Sequence, residues 1–386
     1  MLPRCKAFHH HRLECFERQG MTLDSGYDVT GSCGFFNPTH ACFRKNTSEA
    51  GHGLGDTSKH ELDSTKLAHT PSTHSIRYAW RSRDNRKGRH VLILPKDSPH
   101  RPSTSRRISQ GLWRMLTVYA YWDISWWVAI LFSFGSAIFI LCALFYWLPI
   151  AYPETEFANE ATTGGGVASF VGATLFQVGA VLLIFESVNE NQTGCFGWAV
   201  EELFEGRQVE IGQVEKKVRK APEMCEHVHQ RASKRTDGAK AGRSSTQQAR
   251  KWQWWPSWKE LREHYIHEIG FVSNVTLAAG ATIFYVTGIM SLPGVYDQLS
   301  QAVFGYMLET QTKWWKPAFQ TIGWHIGLWN MIGSVGWTLS AAFGYCNPSW
   351  CEYQSDLTLL WASFAFLVGS MLLWYEALDK YPIETI

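Results

Sequence analysis

FQVGAVLLIFESVN (residues 176–189) is an apolar run that closes on a carboxylate, and FLVGSMLLWYEALD (residues 366–379) nearly repeats it. At an offset of 190 residues, Phe176, Val178, Gly179, Leu182, Leu183 and Glu186 match Phe366, Val368, Gly369, Leu372, Leu373 and Glu376. The runs that precede them also correspond. At an offset of 198, Trp126, Gly135, Ser136, Leu141, Ala143 and Phe145 match Trp324, Gly333, Ser334, Leu339, Ala341 and Phe343. Self-similarity at a fixed spacing marks a repeated supersecondary unit. Here the unit reads as a helical hairpin.

The average composition conceals where that hairpin lives. A chain of 386 residues, 45% hydrophobic, with a net charge of +2, would suit a soluble protein, but its apolar residues fall in blocks. WWVAILFSFGSAIFILCALFYWL (residues 126–148) carries no charge over more than the roughly 20 residues that cross a bilayer's hydrocarbon core. Residues 164–185, 270–292, 321–345 and 357–375 are comparable, so five spans are expected. Trp122, Trp126 and Trp127 open the first span, and Tyr146 and Trp147 close it, as an aromatic belt does at the two interfaces. The fold class expected is all-α: a polytopic transmembrane helical bundle built from repeated helical hairpins, with a disordered N-terminal tail.

A third, shortened copy is read between the outer two. GATIF (280–284) echoes GSAIF (135–139), and YMLETQ (306–311) carries Glu309 where the outer copies carry their terminal glutamates. Gly135 to Glu186 and Gly333 to Glu376 are 51 and 43 residues apart, whereas Gly280 to Glu309 are 29 apart. About one helix's worth of chain is missing.

Charge sets the orientation. Lys and Arg collect on the cytosolic side of membrane proteins. Residues 1–110, which mix Ser, Thr, His, Gly and both charges without a sustained period, are dense in them from Arg81 to Arg89 and at Arg106 and Arg107. This segment is therefore expected to be a disordered cytosolic tail. The next connection, PIAYPETEFANEATT, has no Lys or Arg and suits the opposite side. The remaining divisions are a first hairpin at 111–189, a basic cytosolic loop with a Trp-rich interfacial helix at 190–263, a truncated hairpin at 264–317 and a last hairpin at 318–386.

GCFGWA (194–199), WPSWKELREHYIHEIGF (255–271), LETQTKWWKPA (308–318), GWHIGLWN (323–330) and WYEALDKYP (374–382) resemble a group of uncharacterised fungal multi-pass integral membrane proteins. The resemblance covers about residues 115–383. It implies six spans in three pairs with both termini cytosolic, and it implies no activity. A fainter likeness links the hairpins to bacterial two-helix proteins of the YrhK type.

Few polar groups lie within the spans. Glu186 and Glu376 sit where the helix macrodipole is negative, which costs roughly 0.3–1 kcal/mol, so a cationic partner is expected for them. His264, His267, Arg262, Lys313, Lys316 and Lys380 are the candidates. The alternatives for these glutamates are a snorkelling boundary residue and part of an ion or proton pathway. EHYIHE (263–268) is not the HExxH arrangement that holds zinc on one helix face, so no metal site is expected there. His325 reads as a packed, hydrogen-bonded histidine, and Gln177 and Asn330 as bonds between helices. Cys346 and Cys351 share one loop and can pair, and Cys195 is a candidate for acylation. No phosphate loop, dinucleotide fingerprint, nucleophile elbow or zinc-protease motif is present. Neither a catalytic residue nor a cofactor is therefore expected. The partners expected are the bilayer and, through residues 190–263, anionic lipid or a cytosolic protein, but not nucleic acid. The function expected is a non-enzymatic membrane scaffold or regulator. The alternative is a small-solute or ion transporter or channel along the repeat interface.

Overall fold

The computed structural model describes residues 21–23, 29–31, 35–45, 76–89, 91–94, 104–200, 252–292, 319–380 and 382–385. Four helices within it are long and apolar enough to cross a membrane. They are α3 (Ile124–Ala151), the run Glu160–Val188 that contains α4 (Gly166–Val188), α6 (Ile269–Met290) and α8 (Ser349–Leu378). The fifth expected span is also a helix, α7 (Ile322–Phe343), but it is not among those four. Its His325, Asn330, glycines and tryptophans dilute its apolar character. Shorter helices among the described residues include α2 (Thr104–Thr117) and α5 (Trp258–Glu263).

Local chemistry sets the helix starts. The Asp123 side chain accepts the Ser125 backbone N–H at 2.9 Å and opens α3, and Ser257 with Glu260 forms a reciprocal capping box on α5. Small residues set the packing. An added Cβ at Gly135 would lie 2.6 Å from the Phe176 ring, and one at Gly333 2.7 Å from the Phe366 ring. Gly179 faces Phe132 in the same way, and Gly369 faces Asn330. Close approach of this kind brings membrane helices together by dispersion, since lipid offers no hydrophobic driving force between them. α7 packs on α8, α8 on α3, α3 on α4 and α4 on α6. Phe284 of α6 and Trp337 of α7 stack at 4.6 Å across the two ends of this arc. Phe176 and Phe366 meet edge to face at its centre.

The fold is not purely helical. β1 (Met21–Leu23), β2 (His40–Lys45), β3 (Ile76–Arg81), β4 (Val91–Leu94) and β5 (Ile383–Thr385) make one sheet in sequence order. The first four strands pair antiparallel, with His40 opposite Arg81, and β5 joins β4 in parallel with Leu92 opposite Ile383. The expectation of a tail without order therefore fails at residues 76–89 and 91–94, where strands flank a one-turn helix, α1 (Ser82–Arg86). Residues 104–110, also assigned to the tail, belong to α2, which exposes Ile108, Leu112, Trp113 and Leu116. Residues 201–251 of the basic loop and 293–318 of the middle hairpin, with Glu309, Lys313 and Lys316, lie outside the described residues.

Cys346 and Cys351 are joined by a disulfide. Cys195 is buried beside Ile124, Ala199 and Trp252. This burial removes the exposed thiol that acylation needs.

Candidate functional site

β3 runs directly into α1, and Gly88 closes that turn at φ 63°. A left-handed residue just past a helix end suits glycine, which has no Cβ to strain. The reversal folds Arg89 back over the turn. Its N–H donates to the Asp84 carbonyl at 2.8 Å, and its Nη1 to Asp84 Oδ1 at 2.7 Å. Arg83, Arg86, Lys87 and Arg89 thus issue from one short segment, and all four are buried.

The two glutamates of the matched runs end on this segment. Glu376, in the last turn of α8, accepts from Arg83 Nε and Nη2 at 3.2 and 3.0 Å, from Lys87 Nζ at 2.6 Å and from Arg89 Nη1 at 2.9 Å. Glu186, near the end of α4, accepts from Arg86 Nε at 3.2 Å and from Ser125 Oγ at 2.7 Å. Their exposures are 1% and 0%. The cap of α3 joins the same cluster, because Lys380 lies 2.5 Å from the Asp123 carboxylate and donates to the Lys87 carbonyl at 2.8 Å. One turn of chain therefore ties together the start of α3, the ends of α4 and α8, and the C-terminal segment that becomes β5.

Physics explains why the pairing is so complete. A charge removed from water is tolerated only with a counter-charge and satisfied hydrogen bonds, and each glutamate also opposes the negative end of its helix. Burial pushes the Lys87 ammonium below its ordinary pKa. Glu376 opposes that shift, while Arg83 adds to it.

Beside α1 lies a cavity with about 1020 Å³ of empty space, its open mouth included. Arg83, Arg86 and Lys87 form its charged end. Phe132, Phe176, Phe284, Trp337 and Phe366 give it an aromatic wall, and Asn274, Asn330 and Ser370 add scattered polar atoms. Gly280 of α6 also lines it.

Several expectations change here. The glutamates do not snorkel to a boundary, since both are sealed from solvent. The partners of Glu186 are Arg86 and Ser125 rather than His264 or His267. Of the cations proposed from sequence, Lys380 reaches Asp123 instead of either glutamate. His267 hydrogen-bonds the Phe35 carbonyl at 2.9 Å, and His325 the Phe319 carbonyl at 3.0 Å. Gln177 Nε2 donates across helices to Thr282 Oγ1 at 3.0 Å, whereas Asn330 Nδ2 donates to Ile326 in its own helix. The cations on α1 were missed because they lie about 100 to 290 residues from their partners. IRYAWR and VLIL, two short β-prone runs on either side of SRDNRKGRH, were the signal that could have revealed a folded hairpin there.

Comparison of the chain with protein-family models, with curated proteins and with solved structures finds no match.

Proposed function

We propose that this chain is a non-enzymatic integral membrane scaffold or regulator, with its basic segments cytosolic and its helices arranged as repeated hairpins. The observation that carries this reading is the buried lock of Arg83, Arg86, Lys87 and Arg89 on Glu186 and Glu376. A group poised for proton or ion transfer needs a protonation or binding state it can change. Glu376 is instead held by three cations at once. Such a cluster fixes an element in one place and supports a role in holding the sheet segment against the membrane bundle.

The hairpin equivalence supports the architecture. Gly135 with Phe176 and Gly333 with Phe366 occupy matched positions and make the same contact. β5 pairs with β4, which supports both ends of the bundle segment lying on one side and hence an even number of crossings. An even number is met by the four helices long and apolar enough to cross as well as by the six spans the resemblance implies.

Purified full-length protein in proteoliposomes tests the reading. Ion and small-solute flux no greater than that of protein-free vesicles is expected, and saturable flux overturns it. One observation favours the transport alternative, namely the cavity that enters the bundle behind α1. Flux that appears only when Glu376→Gln loosens the lock would favour that alternative.

A further inference from the structure

We propose that Glu190, His264 and Glu268 form a binding site for a divalent transition-metal ion where the sheet segment meets the bundle. His264 and Glu268 flank one short turn, Tyr265–His267, and Glu190 comes from a separate turn. Glu190 follows the end of α4, His264 caps the end of α5, and Glu268 is the N-cap of α6. One ligand atom from each lies within 4.8 Å of the others. Tetrahedral ligands at roughly 2.0–2.2 Å from zinc stand about 3.3–3.6 Å apart, so the three side chains would draw together by up to about 1.4 Å to seat an ion.

The surroundings orient these ligands independently of one another. Asn37 Nδ2 donates to Glu268 Oε1 at 2.7 Å, and Asn85 Nδ2 donates to Glu190 Oε2 at 3.2 Å. One oxygen of each carboxylate is thus held by an asparagine amide, which is how outer carboxamides position metal ligands. Both asparagines are buried. His264 is 4% exposed, and its ring packs edge-on against Tyr265 at 4.9 Å. Tyr265 in turn donates to the Val188 carbonyl at 3.2 Å, so the turn bearing His264 is pinned to the end of α4 beside Glu190. The turn carrying Glu190 is pinned as well, since Asn191 N–H donates to the Asn85 carbonyl at 3.0 Å.

The donor set decides the class of ion. An imidazole nitrogen with two carboxylates suits zinc, manganese or iron(II), whereas magnesium and calcium prefer all-oxygen shells. Three protein ligands leave a position for water. Because Asn37 belongs to the segment leading into β2 and Asn85 to α1, an ion here would bind the sheet segment to the bundle at a second point, separate from the arginine–glutamate lock.

Zinc titration of full-length protein in detergent, after chelator treatment and monitored by calorimetry and elemental analysis, tests the site. One zinc per chain is expected, with a rise in thermal midpoint on loading. Glu190→Gln and Glu268→Gln keep the side-chain shape and a carbonyl oxygen that can still accept from Asn85 or Asn37, so they are expected to fold even if His264→Ala does not. Each is expected to weaken binding at least about 10-fold, and Asn37→Ala about 10-fold. His9, His10 and His11 could bind zinc on their own, so a variant with all three changed to Ala is the control, and it is expected to retain the ion. Unchanged stoichiometry and affinity in both Gln variants overturns the proposal, as does loss of zinc in the His9–His11 variant.

Discussion

Glu376 and Glu186 hold matched places in the sequence and unequal places in the cluster. Three cations converge on Glu376, while Glu186 has one guanidinium and one hydroxyl. Removing one member of a buried pair strands the opposite charge, at a cost of about 3–5 kcal/mol. Glu376→Gln is therefore expected to lower the thermal midpoint in detergent more than Glu186→Gln does. Adding Lys87→Met to Glu376→Gln should restore part of the loss, because the stranded charge is then gone. Equal midpoints for the two single variants would contradict this ranking. Lys87 also has a pH signature. Burial holds its pKa below the ordinary value of 10.5, so between the folded and unfolded values the unfolded chain binds more protons. Stability from this group then rises with pH across that interval and falls as pH drops through the folded value. Thermal midpoints at neutral and alkaline pH should show a shallower upward slope in Lys87→Met than in the wild type.

At the scale of elements, the two outer hairpins use the same device, in which a glycine on the first helix receives a phenylalanine from the second. If the hairpins are copies, Gly135→Ala and Gly333→Ala should be similarly harmful, since each added methyl meets a ring edge at 2.6 or 2.7 Å. Overpacking of this kind costs about 1–3 kcal/mol. A much milder effect at one site, read as thermal midpoint or detergent-resistant yield, would mean that the two helix pairs have diverged in packing. Gly280 of α6 borders the cavity.

The whole molecule makes a prediction about sides. Gly166 at the start of α4 abuts the Ser291 carbonyl just past α6, and the Cys346–Cys351 loop opens α8. Asn191 contacts α1 where α4 finishes. The disulfide and Asn191 are thus expected on opposite faces of the membrane. In sealed microsomes, a membrane-impermeant thiol reagent added from the cytosolic side after reduction should not reach Cys346 or Cys351. The NQT sequon at Asn191 should stay unglycosylated. Glycan on Asn191, lost in Asn191→Gln, would invert the assigned orientation.

The sequence by itself determined that the chain holds helices long and apolar enough to cross a membrane, and it carried the two matched runs. Uncharged runs long enough to cross a bilayer announce themselves because lipid cannot hydrogen-bond a backbone, so the signal is local and continuous. The two matched runs likewise singled out Glu186 and Glu376 as the costly groups. Even so, α7 falls short of the apolarity of the other four helices despite its match in sequence to α3, because His325, Asn330 and its tryptophans lower its mean hydropathy. Only the tertiary structure decided what neutralises the glutamates and what gathers Glu190, His264 and Glu268. An ion pair fixes the distance between two side chains but leaves no trace in the spacing of residues along the chain. Arg83 and Glu376 stand 293 residues apart, and nothing in a stretch without periodicity names its distant partner. The sheet was obscured for a related reason: its strands are short, and β5 arrives from the far end of the chain to complete a pairing that no local pattern encodes.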